Sequence, residues 1–312
     1  MKKLKILIFG SKGMVGRSLV RILNKSEIVS EVFASSRDDT NLFSLDETRL
    51  IMKKENPDII INAAAKVGGI HANNTKRTEF IFQNLKINMN ILEACIEFPE
   101  AKIINLGSSC IYPLNAKNPI KEESLMTGEL EPTNSPYAIA KIAAIEMGRA
   151  LNKQYSHQII NLMPTNLYGP HDNFSEMDSH VIPGLIMRMH QAKNDKREIF
   201  KIWGSGTPLR EFLYVDDLAE AVSFLLDKSC DHDLYNVGFG EEISIKDLAY
   251  KIKAIIDFEG TLDFDSSMPD GNPRKLIDTK RLNDLGWKPL TDLDIGLEKT
   301  YRWYLENNNK RL

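Results

Sequence analysis

Five short apolar runs, KILIF, EVFAS, DIIINAA, KIINL and QIINLMP, recur through the first half of the chain, each separated from the next by a longer amphipathic stretch. A run that is apolar at nearly every position suits a strand covered on both faces. The stretches between them, MVGRSLVRILNK, DETRLIMKKE, TEFIFQNLKINMNILEACIEF and SPYAIAKIAAIEMGRALNKQY, read as helices. Strand alternating with helix predicts an α/β fold, a Rossmann-like doubly wound parallel sheet with helices on both faces.

The rhythm breaks after about residue 169, where GPHDNFSEMDSH forms a polar loop before a short helix, VIPGLIMRMHQ. FLYVDDLAEAVSFLLDK and LYNVGFG read as a helix and a strand returning to the sheet, and ISIKDLAYKIKAIID and DLDIGLEKTYRWYLEN as later helices around the turn MPDGNPRK. The expected division is a nucleotide-binding Rossmann domain over 1–168 plus 212–238, and a smaller discontinuous α/β substrate lobe over 169–211 plus 239–312.

Composition narrows the partners. The 312 residues carry 40 basic and 43 acidic side chains, a net charge of -3, which leaves no broad polycationic face for nucleic acid, although a local phosphate pocket remains compatible. Cys95, Cys110 and Cys230 are odd in number and irregular in spacing. That argues against a disulfide framework or a metal site and for a reducing compartment. MKKLKILIFG begins like a signal peptide, but its apolar run stops at a glycine loop, and no stretch approaches the length of a bilayer span. A cytoplasmic protein without a membrane partner is expected.

The first run ends in GSKGMVG, covering Gly10, Ser11, Lys12, Gly13, Met14, Val15 and Gly16. Between a strand and a helix, Gly10 permits the tight turn, Gly13 lets the backbone approach a pyrophosphate, and Gly16 permits close helix packing. About twenty residues further on, where an NAD site carries an acidic residue for the ribose, the chain reads ASSRDD. Ser36 and Arg37 occupy that place, and with Lys12 they favour a ribose 2′-phosphate, hence NADP(H). The alternative is that Arg37 is a solvated surface charge and Asp38 the operative residue.

SPYAIAK sets Tyr137 and Lys141 four residues apart on one helix face. A neighbouring ammonium favours the phenolate, which would lower the tyrosine's pKa and make it a usable acid or base. Ser108, after KIINL, falls at the same sheet edge, where a hydroxyl can bond a carbonyl oxygen. By itself the Tyr–Lys spacing more often marks a core tyrosine with an exposed lysine; its combination with the glycine loop and the serine points to chemistry.

GSKGMVG, GSSCIYP and SPYAIAK together resemble the extended short-chain dehydrogenase/reductase family. AAAKVGGIHANN, EPTNSPYAIAK, MPTNLYGPHDNF, SHVIP, WGSGTPLREF and PDGNPRK extend the resemblance to members that act on GDP-4-keto-6-deoxymannose, from residue 10 to about 275. The resemblance implies inversion of C-3 and C-5 of that small-molecule substrate, followed by reduction of its C-4 ketone with NADPH, giving GDP-L-fucose. It implies Ser108, Tyr137 and Lys141 as the reductive triad and Cys110 with His180 as the epimerisation pair. Inversion needs a base on one face of an enolisable carbon and an acid on the other, and the free pKa values of a thiol and an imidazole suit those tasks.

The same resemblance implies coenzyme contacts at the glycine loop, Arg37, Leu106, Gly107, Ser108, Lys141, Pro164, Thr165, Asn166, Leu167 and His180. It implies substrate contacts at Arg188, Trp203, Arg210, Asp270 and Lys275, with arginines suited to the diphosphate. Trp203 reads equally well as a core aromatic of the lobe. Helices over 77–97 and 136–155 resemble the superfamily's homodimer interface. Lys12 replaces an arginine, which keeps the charge but loses the fork. Cys95 and Cys230 are expected to be small buried hydrophobes, and His71, His157, His171, His190 and His232 structural or surface residues. Rival readings are a GDP-L-colitose-forming relative, which inverts only C-5 of a 3-deoxy substrate, a sugar-nucleotide 4-epimerase, and a silent NADPH-binding sensor.

Overall fold

The computed structural model describes residues 2–176, 178–268 and 270–308. Its first part alternates as the apolar runs predict: β1 (Leu4–Phe9), α1 (Met14–Leu23), β2 (Val29–Ser35), α2 (Leu45–Glu55), β3 (Ile59–Asn62), α3 (Ile70–Thr75), α4 (Arg77–Cys95), β4 (Lys102–Leu106), α5 (Ser135–Tyr155) and β5 (Gln158–Pro164). After it come β6 (Asn166–Tyr168), α6 (Val181–Asn194), β7 (Ile199–Trp203), β8 (Leu209–Arg210), β9 (Phe212–Tyr214), α7 (Val215–Leu225), β10 (Leu234–Val237), β11 (Ile243–Ser244), α8 (Ile245–Ile256), β12 (Thr261–Asp265), β13 (Arg274–Lys275), α9 (Lys280–Asp284) and α10 (Leu293–Asn308).

Six strands form the central sheet in the order β10-β5-β4-β3-β1-β2, every pair parallel. The order reverses between β1 and β3, so the ends of β1 and β3 open on the crevice where ligands bind in such sheets, with β4 next to it. Ile6 to Phe9, Ile59 to Ile61, Ile103 and Ile104 are buried, as strands covered on both faces require.

Local chemistry sets the helix ends. Ser44 accepts a 3.2 Å hydrogen bond from the Glu47 amide at the start of α2, an N-cap of the common kind. Pro136 sits in the first turn of α5, where a missing N–H costs nothing, and Glu131 receives the amides of Thr133 and Asn134, both at 3.1 Å, just before it.

One polar ladder crosses the apolar sheet. Asn62, Asn105 and Asn161 lie in register on β3, β4 and β5. Asn62 donates to Asn105 at 2.9 Å and Asn105 to Asn161 at 3.0 Å. All three are buried. Asn62 also donates to Asn88 of α4 at 2.9 Å, so the ladder ties the sheet to α4.

A second apolar cluster joins α6, β7, α8, β12 and α10 through Ile182, Leu185, Met189, Phe200, Leu248, Leu262 and Leu297. Leu282 and Trp287 instead pack in the central-sheet core with Leu218 and Leu225. The segment around α9, assigned to the lobe on sequence, therefore crosses back to the larger core.

Candidate active site

Gly10 has φ +83, and a Cβ there would stand 2.7 Å from the Ala63 carbonyl, so the turn at the end of β1 requires glycine. A Cβ on Gly16 would stand 2.2 Å from the Gly10 oxygen, which fixes how closely α1 approaches the loop. Gly13, the N-cap of α1, has nothing nearer than 3.5 Å in that direction, and the first turn of α1 carries no acidic residue. A glycine N-cap with only one ordinary contact in its Cβ direction, at a helix N-terminus without acidic residues, is a cradle for a dinucleotide's diphosphate. The residues present therefore fit such a coenzyme.

At the end of β2 the Asp39 carboxylate accepts from the Ser36 amide at 2.8 Å and its hydroxyl at 2.6 Å, closing the turn. Arg37 is exposed there. Asp38 forms an ion pair with Lys12 across the mouth of the glycine loop, and that carboxylate raises the lysine's pKa above its ordinary value. The sequence offered Lys12 and Asp38 as parts of competing readings; the fold joins them.

Lys102–Leu106 delivers the reaction centre. Gly107 donates its amide to the Leu162 oxygen at 2.8 Å, and a Cβ on it would stand 2.1 Å from the Met163 methyl, so this exit is tightly packed. Ser108 then accepts from the Cys110 amide at 3.3 Å and caps a single 3-10 turn over Ser109–Ile111. The serine and the thiol are thus held within one turn of each other.

Lys141 is 3% exposed and donates to the Leu106 carbonyl at 2.8 Å. Its amine lies 5.8 Å from the centroid of the Tyr137 ring. Burial pushes the ammonium down to about 8, with Cys110 acting the other way. Burial also pushes the Tyr137 phenol up, with a further rise from Cys110. The expected lowering of Tyr137 is therefore reversed in this site, where desolvation of the phenolate dominates and the Lys141 ammonium is committed to a carbonyl. That direction favours the protonated phenol, which can donate a hydrogen bond. Cys110 is 7% exposed, and burial raises its thiol while Lys275 and Lys141 draw it back.

His180 is the N-cap of α6, with its side chain 47% exposed and Nδ1 3.9 Å from Asp172. The other Asp172 oxygen is buried and has no partner. Gly69 donates to the Asp178 carbonyl at 3.1 Å, and a Cβ on it would meet the Ser179 carbonyl at 2.6 Å. The loop bearing His180 is thereby pressed onto the chain leaving β3. Ser108, Cys110, Tyr137, Lys141 and Lys275 form one electrostatic cluster; among the described residues His180 makes no hydrogen bond to it.

The cations of the second cluster are half-buried. Arg188 donates to the Gly184 carbonyl at 3.2 Å and lies 5.7 Å from the Phe200 ring. Arg210 donates to the Leu209 carbonyl at 2.8 Å and faces Lys275 in the β8–β13 register. Burial lowers the pKa of both arginines. Among the described residues neither is in a salt bridge, although Glu176 acts on Arg188 and Asp270 on Arg210 from a distance; half-buried cations that no carboxylate pairs directly suit an anionic ligand. Asp270 accepts from the Ser205 amide at 2.6 Å and its hydroxyl at 2.8 Å, which shapes the loop after β7. Trp203 is 62% exposed, so it is not a core aromatic.

Pro164 ends β5. Thr165 and Asn166 donate to the Glu211 carbonyl at 3.2 and 2.8 Å, which fixes the course of the chain through Leu167. Cys95 is fully buried, as expected, whereas Cys230 is only half-buried, in a cavity that His157 and His232 also line. The sequence reading missed Asp172 and Glu131; both lie inside the quoted motifs, and the capping signal of an acidic residue before a helix start could have found Glu131.

The profile of the NAD dependent epimerase/dehydratase family matches residues 6–238. GDP-L-fucose synthase 1 of Arabidopsis thaliana is 46% identical over 306 residues, covering 98% of this chain and 94% of that protein. GDP-L-colitose synthase of Yersinia pseudotuberculosis is 35% identical over 308 residues, covering 98% and 99%. A GDP-L-fucose synthetase from Naegleria fowleri, solved bound to NADP, superposes with a TM-score of 0.89 at 30% identity, covering 99% of this chain and 96% of that one.

Proposed function

The chain belongs to the NAD dependent epimerase/dehydratase family, and from that premise we propose that it converts GDP-4-keto-6-deoxy-D-mannose to GDP-L-fucose, inverting C-3 and C-5 and then reducing the C-4 ketone with NADPH. The observation that carries this reading is a buried thiol held within one 3-10 turn of Ser108 and in the same cluster as Tyr137 and Lys141. A plain reductase needs no such group. Relatives named for fucose synthesis reach 46% identity, the Arabidopsis thaliana protein among them, against 35% for the colitose relative, which favours the 3,5-inversion over inversion at C-5 alone.

Cys110 as thiolate takes the proton from the carbon beside the ketone, and the electron pair moves into the enolate. Tyr137 donates its phenolic hydrogen bond to the enolate oxygen, with Ser108 as second donor. His180 returns a proton to the opposite face. The pair then has to exchange protons with water before the second inversion, which the exposed His180 ring permits. NADPH supplies the hydride to C-4. Tyr137 gives its proton to the alkoxide so formed, and the ammonium of Lys141 offsets the charge left behind. Arg188 and Arg210 hold the diphosphate, and Lys12 and Arg37 the coenzyme's 2′-phosphate.

The larger domain is taken as 1–168 plus 212–238 together with the α9 segment that packs on its core, and the remainder as the lobe completing the substrate side. Phe82 and Met89 on α4 and Ile139 on α5 are 58%, 48% and 45% exposed, an apolar face suited to a second copy of this chain; sedimentation as a monomer only would reject the dimer. Among the described residues no helix is long and apolar enough to cross a membrane, and the unpaired cysteines favour the cytoplasm. The activity is tested by supplying GDP-4-keto-6-deoxymannose and NADPH and identifying the product. GDP-L-fucose is expected; turnover of the 3-deoxy substrate alone would move the assignment to colitose.

A further inference from the structure

We propose that Asp172 is a positioning residue for His180: its buried carboxylate takes the proton on Nδ1 and leaves Nε2 as the atom that returns a proton to the substrate carbon. The inference rests on the reading of His180 as the epimerisation acid. It gives a role to a carboxylate oxygen that the protein otherwise leaves without a partner.

The loop between β6 and α6 builds the arrangement. The Asp172 amide donates to the Gly169 carbonyl at 3.3 Å, and His171 in that turn takes a left-handed backbone, φ 67. The His171 ring lies 4.7 Å from that of Trp303, and the Phe174 ring 4.9 Å from that of Tyr304. Rings on both sides of Asp172 therefore dock on α10, and the carboxylate between them is only 5% exposed. Asn173 Nδ2 donates to the Asp178 carbonyl at 3.3 Å, and the Gly184 amide donates to the His180 carbonyl at 3.0 Å. The two ends of the loop are thereby held together, with His180 Nδ1 3.9 Å from Asp172 Oδ1.

The other carboxylate of this loop end is engaged elsewhere, since Asp178 pairs with Lys76 at 3.1 Å. Asp172 Oδ1 accepts the Asn173 amide at 2.7 Å, while Oδ2 is buried and has no partner. Such an orphan costs free energy, and a native site keeps one where a function requires it. Among the described residues Asp172 is the one carboxylate at ion-pair distance from the His180 ring. The separation is longer than a hydrogen bond, and contacts of a catalytic imidazole with its orienting group tighten in the substrate complex. A carboxylate on Nδ1 fixes the tautomer and stabilises the imidazolium. When the Nε2–H bond breaks and the carbon–hydrogen bond forms, the electron pair stays on Nε2. The neutral ring keeps its other proton on Nδ1, beside Asp172, and Nε2 regains a proton from water before the second inversion.

The test is the tautomer of His180 in enzyme labelled with isotopic histidine and holding NADP⁺. It is read from long-range nitrogen–proton NMR at a pH where the ring is neutral, and assigned by the signals lost in His180→Gln. The Nδ1–H form is expected to dominate in the parent, and Asp172→Asn and Asp172→Ala are expected to convert it mainly to the Nε2–H form. Both variants are expected to lose inversion, read as deuterium uptake at C-3 and C-5 in heavy water, by about 10-fold to 10²-fold in kcat with KM nearly unchanged. NADP⁺ affinity and melting temperature report on the fold of each variant. A parent dominated by the Nε2–H form overturns the proposal even if neither variant folds. An unchanged Nδ1–H population in a folded variant, or a rise in KM at unchanged kcat, overturns it as well. Because the tautomer is read without any sugar nucleotide, it holds or fails separately from the assignment of the reaction, whereas normal inversion by His180→Gln would remove His180 from the acid's role.

Discussion

Lys141 donates a 2.8 Å hydrogen bond to the carbonyl oxygen of Leu106, the last residue of β4. That bond ties the helix of Tyr137 to the strand that leads into Ser108 and Cys110, and it offers the ammonium a partner where burial pushes its pKa down to about 8. Below that pH the amine is mainly protonated and supports the tyrosine; above it the charge is lost. The kcat/KM for reduction is therefore predicted to fall above about pH 8, and Lys141→Met to cost about 10²-fold or more at pH 7. A flat profile from pH 7 to 9.5 contradicts this assignment.

Removing the thiol separates the two stages. Cys110→Ser is predicted to slow inversion by about 10²-fold to 10⁴-fold while leaving measurable NADPH oxidation, since Ser108, Tyr137 and Lys141 are untouched. NMR of the product should show the unepimerised sugar reduced at C-4. Normal yields of the inverted product at the parent's rate would remove Cys110 from the base's role.

The Lys12–Asp38 ion pair predicts a coenzyme effect. Asp38→Asn frees the ammonium and removes a negative charge from the neighbourhood of the 2′-phosphate. NADP⁺ binding should tighten about 2-fold to 10-fold, with less change for NAD⁺, and the gain should shrink in high salt because both groups are exposed. Calorimetric titration of the two coenzymes measures it; equal effects on both would place Asp38 outside the ribose site.

The asparagine ladder predicts a stability loss far from any ligand. Asn105→Leu leaves one Asn62 side-chain N–H and the Asn161 side-chain oxygen without their Asn105 partner, and each buried orphan costs about 1–3 kcal/mol. Urea unfolding should therefore show a loss of about 2–5 kcal/mol. A change below about 1 kcal/mol would mean the ladder is repaired by water or by Asn88.

The central sheet was legible because strands buried on both faces leave continuous apolar runs, and KIINL or DIIINAA admits few other folds. The glycine loop was legible because the backbone itself sets its needs: a left-handed turn at Gly10 and a close approach at Gly16. What the sequence did not reveal depends on contacts between distant segments. Asp38 meets Lys12 only when β1 and β2 lie side by side. Asp172 beside His180 is likewise a product of folding. The direction of the Tyr137 shift was misjudged because spacing along a helix reports a neighbouring charge but not the depth of burial. Trp203 could be read as core or as contact, and its 62% exposure excludes the core.

The most direct test is turnover of GDP-4-keto-6-deoxymannose with NADPH in heavy water, followed by NMR location of deuterium in the product. Label at both C-3 and C-5 of a fucose product is the predicted result. Label at C-5 alone, or reduction without label at either carbon, would contradict the double inversion.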